Sequence, residues 1–238
     1  MKRYLKLEKL FGAEFLPVSK SQLAKGAAPA GVPKTPPRPK RASLVPIVGP
    51  VELPPALAKL KSEIEDCTRC EKLCRSRTQT VFGVGSLTAP VVFVGEAPGE
   101  DEDEHGEPFV GRAGRLLTET LERVGAKRSQ VFIANILKCR PPGNRTPEPV
   151  EMANCVGYLQ RQLDAIKPKL IVLMGNVALK GLLDSPKGIT SVRGTFTQAM
   201  GFRVLPTFHP AYVLRNMTAL PTFEADVRLA CREAGLVR

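Results

Sequence analysis

No stretch of this 238-residue chain is apolar over the roughly 18 to 20 residues that crossing a bilayer requires, which excludes a membrane-spanning helix. The first residues, MKRYLKLEKLFG, interleave charge with leucine where a secretory signal would be continuously apolar, so the expected setting is soluble and cytoplasmic. Histidine occurs only twice, at His105 and His209, and any chemistry that needs an imidazole rests on those two. Acid is scarce in residues 1–50, where ten Lys or Arg face only Glu8 and Glu14. That segment holds +8 of the net +12, leaving +4 for the other 188 residues. A basic excess of this kind points to a polyanionic partner, most economically nucleic acid, and to a nucleoid-associated protein.

Ten prolines fall between residues 17 and 55, around the run GVPKTPPRPKRAS, with neither helical nor strand periodicity. Residues 1–52 therefore read as a basic, extended tail. It is either a solvated tether or a contributor to nonspecific DNA affinity through counterion release, and it could dock a replication or repair partner through RYLKLEKLFGAEFL. Residues 53–238 read as one folded domain, and nothing in them calls for more than a monomer.

Within the domain four short apolar runs read as strands: VVFVG (91–95), VFIAN (131–135), LIVLMG (170–175) and RVLPTF (203–208). Helical patterns alternate with them, carried by Leu57, Leu60 and Ile64, by Leu116 to Val124, by a segment from Pro147 capped by Thr146 to about Ile166, and by residues 219–235. The alternation predicts an α/β fold, a three-layer α/β/α sandwich around a four-stranded, mainly parallel sheet. Ligands in such sheets bind beyond the carboxyl ends of the strands, which puts Gly95 to Glu102, Asn135 and His209 on one rim.

Cys67 and Cys70 form a CTRC pair, and Cys139 and Cys155 follow far along the chain. Six cysteines in a reducing compartment read as metal ligands or buried thiols rather than disulfides, and four of these could grip one centre. Cys74 lies close enough in sequence to compete for a ligand position. The phrase GEAPGEDED supplies turn-forming residues and a dense run of carboxylates, a poor surface for phosphate but a suitable one for a neutral group or a developing cation. Taken singly, His209 and Asn135 read first as structural residues and Phe109 as core, and His105 reads as surface.

Jointly, CTRC, GEAPGEDED, GEPFVGRAGRLL, ANILKCRPPGNRTP, Cys155 and HPAYVLRN resemble the family 4 uracil-DNA glycosylases, the iron-sulfur branch of that superfamily, over about residues 57–235. The resemblance implies a substrate, uracil-containing DNA, whose deoxyuridine is flipped out and whose N-glycosidic bond is hydrolysed. It implies that Phe109 stacks on the base, that Asn135 reads its O4 and N3 edge, and that His209 donates to O2. The backbone of Gly95, Ala97 and Gly99 would approach the base closely. Glu96 is the first candidate for orienting the attacking water, assisted by Asn144, and Glu102 for excluding the methyl group of thymine, although these two glutamate roles are exchangeable. Arg215 would contact phosphate or pair with a local acid. Cys67, Cys70, Cys139 and Cys155 would hold one 4Fe-4S cluster. The alternative is a noncatalytic or covalently capturing DNA-binding iron-sulfur protein of repair or replication. The absence of histidine from ILKCRPPGNRTPEPVE and the presence of Glu96 speak against the covalent and broad-substrate branches.

Overall fold

A computed structural model describes residues 53–183 and 185–238; the N-terminal tail lies outside them. Helix α1 (Pro55–Glu65) buries Leu57, Leu60 and Ile64, as their spacing predicts, and is followed by a short α2 (Glu71–Ser76). Then come β1 (Val84–Gly85), β2 (Val91–Gly95), α3 (Glu100–His105), α4 (Arg112–Arg123), β3 (Phe132–Asn135) and α5 (Pro149–Ile166). The chain closes with β4 (Leu170–Met174), α6 (Asn176–Leu183), α7 (Ile189–Val192), β5 (Thr197–Ala199), β6 (Phe202–Thr207), α8 (Pro210–Arg215) and α9 (Leu220–Glu233).

The four predicted strands form the parallel centre of the sheet, in the order β3-β2-β4-β6. Two short strands extend it to six, β1 antiparallel on β3 and β5 antiparallel on β6. Neither edge carries an apolar run, because strands of two and three residues at a solvent-facing edge bury little. The central strands are continuously apolar because both faces are covered. Val91, Phe93, Ile133, Val172 and Leu205 pack with α4 and α9, whereas Val92, Val94, Ala134, Ile171, Leu173 and Val204 pack with α1 and α5. Successive residues of one strand thus supply opposite cores, which is the three-layer arrangement.

Two segments differ in substance from the sequence reading. Helix α5 starts at Pro149 with Glu148 as its cap, rather than at Pro147 with Thr146. The reason is Glu151, whose carboxylate accepts the Glu148 N–H at 2.8 Å while Arg145 binds both of its oxygens at 2.6 and 2.8 Å, so the helix is capped from inside its first turn. The acidic run, read as a turn with a dense run of carboxylates, contains α3, in which Asp103 is buried and accepts the Thr78 and Gln79 N–H groups.

Candidate active site

All four parallel strands end on one side, and the segments leaving them line a single cavity of about 630 Å³. After β2 come Glu96, Ala97, Pro98 and Gly99, and β3 ends on Asn135. Gly175 and Asn176 follow β4, while Phe208 and His209 follow β6. Glu102, Phe109, Asn144 and Arg215 complete the set expected from sequence, except that Gly95 lies behind the wall rather than on it. A β-carbon on Gly95 would sit 2.4 Å from the Asn135 Oδ1 and 2.6 Å from the Phe109 ring, so only glycine lets these two side chains meet there.

The Phe109 ring lies 5.6 Å from the His209 ring at a tilt of 36°. Asn135 is 2% exposed, and its Oδ1 has no hydrogen-bond partner among the described residues. A buried amide oxygen in that state is costly to leave unpaired, and a ligand N–H could satisfy it. His209 caps α8, and its Nδ1 accepts the Ala211 N–H at 3.1 Å, which leaves the ring proton on Nε2. Desolvation, with a smaller contribution from the Arg215 guanidinium, pushes its pKa down to about 4, so the imidazole is a neutral donor near pH 7. Behind it, Thr207 donates to Asp226 at 2.7 Å, and Asp226 is held by Arg193, which fixes the strand end.

The two glutamates differ sharply. Glu96 is half-buried, burial raises its pKa, and its carboxyl makes no hydrogen bond among the described residues. Glu102 spends both oxygens on backbone: Oε2 accepts the Gly99 N–H at 3.1 Å and Oε1 accepts those of Val110 and Gly111 at 3.0 and 2.9 Å. Asn144 stands exposed at the rim with its Oδ1 accepting from Arg140 Nε at 2.8 Å, leaving its amide N–H groups for other partners. Arg215 is exposed and forms no ion pair among the described residues. His105 is likewise exposed, its Nδ1 2.6 Å from the Asp101 carbonyl.

Arg145, Asn176, Thr190 and Tyr212 also line the cavity and were not anticipated. Asn176 had the same signal as the others, a polar residue just after a parallel strand. It accepts the Ile189 N–H at 2.8 Å, so it also anchors α7 to the rim.

A second, small cavity is lined by Cys67, Cys70, Cys74, Cys139 and Cys155 together. Arg77 Nη1 donates to the Cys139 sulfur at 2.9 Å, the Lys138 N–H to that of Cys155 at 3.3 Å and Asn154 Nδ2 to that of Cys70 at 3.6 Å. Cys74 instead donates to the Cys67 carbonyl at 3.3 Å. Burial pushes the Cys139 thiol up to about 12 and raises Cys70 and Cys155, so a cationic centre is what would hold these sulfurs as thiolates. Among the described residues no three His, Cys, Asp or Glu side chains are arranged to hold a single metal ion. The sulfurs around this cavity, with N–H groups directed at three of them, fit a group that takes thiolate ligands.

A cavity at the carboxyl ends of a parallel sheet, lined by the Phe109 ring, a buried amide and an imidazole, defines an α/β protein with its candidate site at the strand ends. The profile of the Uracil DNA glycosylase superfamily matches residues 82–232. The chain is 50% identical to the type-4 uracil-DNA glycosylase of Thermotoga maritima over 163 residues, 67% of this chain and 84% of that one. It is 43% identical to the type-4 uracil-DNA glycosylase of Sulfurisphaera tokodaii over 182 residues, 73% and 82% of the two chains. A type-5 enzyme from Pyrobaculum aerophilum is more distant, at 27% over 208 residues, 73% of this chain and 92% of the relative. The chain belongs to the uracil DNA glycosylase superfamily, and within it to the type-4 family. Among the described residues no helix is long and apolar enough to cross a membrane.

Proposed function

We propose that the protein is a monofunctional uracil-DNA glycosylase, which flips deoxyuridine out of DNA and hydrolyses its N-glycosidic bond to start base excision repair. The observation that carries this reading is the meeting of Phe109, Asn135, His209 and Glu96 in one cavity of a type-4 family member. The relatives' names favour it over the noncatalytic and covalently capturing alternatives.

Phe109 offers its ring face to the flipped base. The orphaned Asn135 Oδ1 accepts the uracil N3–H, and the amide nitrogen donates to O4. As the C1′–N1 bond breaks, both its electrons leave with the base and negative charge collects on O2. The His209 Nε2–H, neutral and fixed by the Ala211 contact, donates to that oxygen without having to lose a proton. The deoxyribose becomes cation-like, and the Glu96 carboxylate stabilises it and orients a water on C1′, taking the proton as the C–O bond forms. Asn144, at the rim, steadies that water. Glu102 acts at one remove, because its oxygens are already committed to the Gly99, Val110 and Gly111 N–H groups that shape the base pocket. Arg215 takes a backbone phosphate, and the basic tail adds salt-dependent affinity for DNA.

The group that fits the second cavity is a 4Fe-4S cluster, which Cys67, Cys70, Cys139 and Cys155 would hold. Bound there, it would cross-link the α1–α2 segment, the loop after β3 that carries Cys139, and α5. The test is uracil release from an oligonucleotide with one deoxyuridine, using anaerobically purified protein whose iron and sulfide have been measured. Free uracil and an alkali-labile site with about four irons per chain are expected; intact substrate with full iron would overturn the catalytic reading.

A further inference from the structure

Phe109 has a positive φ of 56°, a conformation that costs an aromatic L-residue energy unless its surroundings enforce it. Three neighbours enforce it. Glu102 binds the two N–H groups that follow Phe109. Gly114 of α4 lies so close that a β-carbon there would sit 1.7 Å from the Phe109 carbonyl oxygen. The third is Arg128, from the single turn Arg128–Gln130 ahead of β3.

Arg128 is only 6% exposed, and no carboxylate forms a hydrogen bond with its guanidinium among the described residues. Its Nη2 donates to the Pro108 carbonyl at 2.7 Å, the peptide just before Phe109. Its Nη1 donates to the Thr118 hydroxyl at 3.3 Å, which in turn donates to the Gly114 carbonyl at 3.0 Å. A desolvated guanidinium spent on neutral oxygens is an expensive way to fill a core, and both of its contacts converge on the residue with the strained backbone. Burial draws its pKa below the usual arginine range, although Glu107 and Glu102 oppose this.

We propose that Arg128 is a positioning residue for the base pocket: with Glu102 on the opposite side, it clamps the peptides flanking Phe109 so that the ring stays against His209 and faces the cavity. This rests on the reading of Phe109 as the surface on which the base stacks. Arg128 touches neither base nor sugar; it acts only through Phe109, and non-additivity is the signature of such a route.

The experiment is a double-mutant cycle of Arg128→Met and Phe109→Ala, read as the single-turnover rate of uracil release from a single-stranded oligonucleotide containing one deoxyuridine. Affinity for the same oligonucleotide without uracil and the thermal midpoint are recorded alongside. Arg128→Met should slow release at least tenfold and change affinity for undamaged DNA less than twofold. In the Phe109→Ala background the same substitution should change the rate less than twofold. Arg128→Lys, which keeps a donor for the Pro108 carbonyl, should recover much of the loss. Equal slowing in both backgrounds would overturn the clamp while leaving the stacking role of Phe109 intact. Wild-type release by Phe109→Ala would overturn the stacking reading, and the clamp with it. Should Arg128→Met not fold, Thr118→Val removes one arm of the clamp and is put through the same cycle with the same criteria.

Discussion

His209 should remain neutral across the working pH range, and the structure sets the size of the effect. With a pKa near 4 instead of the usual 6.5, about one imidazole in a thousand is protonated at pH 7, against roughly a quarter for an unperturbed ring. At pH 5.5 the contrast is about 3% against about 90%. The charged groups that line the same cavity are Arg215, Arg145, Glu96 and Glu102, and of these Arg215 reinforces the shift. Because the folded pKa lies below the unfolded one, the folded protein resists a proton that the unfolded chain accepts. Stability is therefore complete above about pH 6.5 and is lost as pH falls toward 4, by about 2 to 3 kcal/mol once solvent in the open pocket is allowed for. The assay is an imidazole ¹⁵N–¹H titration. Only two histidines contribute, and His209→Gln assigns the signals. The expected result is an Nε2–H tautomer that does not titrate above pH 5, together with a uracil-release profile lacking a limb near 6.5. An Nδ1–H tautomer, or a pKa above 6 that tracks activity, would refute the neutral-donor mechanism.

The two glutamates should separate cleanly. Glu96→Gln should cut uracil release by about 10²- to 10⁴-fold while leaving the thermal midpoint unchanged or higher, since it removes a desolvated carboxylate without a hydrogen-bond partner among the described residues. Glu102→Gln places an amide N–H against backbone N–H groups and should lower unfolding stability by about 1 to 3 kcal/mol, measured by denaturant titration; the reverse pattern in the two variants would exchange their roles. Iron analysis distinguishes the cysteines: Cys70→Ser should lose iron, whereas Cys74→Ser should keep it near the wild-type level because its sulfur is directed at the Cys67 carbonyl. Equal losses would make Cys74 a ligand.

Much of the fold was legible because burial on both faces makes a parallel strand a continuous apolar word, as in VVFVG and LIVLM. What escaped had no such imprint. Val84–Gly85 and Thr197–Ala199 are edge strands too short to show a period, and α3 is a helix of acids in which only Asp103 is buried. The rim was legible from one rule, a polar residue just past a parallel strand, and applying it to β4 would have found Asn176 as well. The different environments of Glu96 and Glu102 were not legible, because they depend on where three backbone N–H groups point. Those directions follow from the left-handed turn at Phe109, which no local pattern marks.

The exit from β3 joins the two cavities. After Asn135 the chain keeps pairing with the β2 exit, through Ile136 N–H to the Gly95 carbonyl at 3.0 Å and Leu137 N–H to that of Glu96 at 3.1 Å. Lys138 then turns inward, fully buried, and donates to the Asn135 and Phe82 carbonyls and to Gln162 Oε1. The next residue is Cys139, and Arg140 beyond it holds Asn144 at the rim. Within ten residues the backbone passes from the amide that would read the base, through a sulfur of the proposed metal site, to the amide that would steady the water. Fixing Cys139 by coordination would restrain both amides along short, hydrogen-bonded paths. A cluster would thus have a structural place in a hydrolytic enzyme: it would stiffen the loop on which the base pocket depends, in a stretch where CRPPGN has no regular secondary structure beyond a single turn to do so.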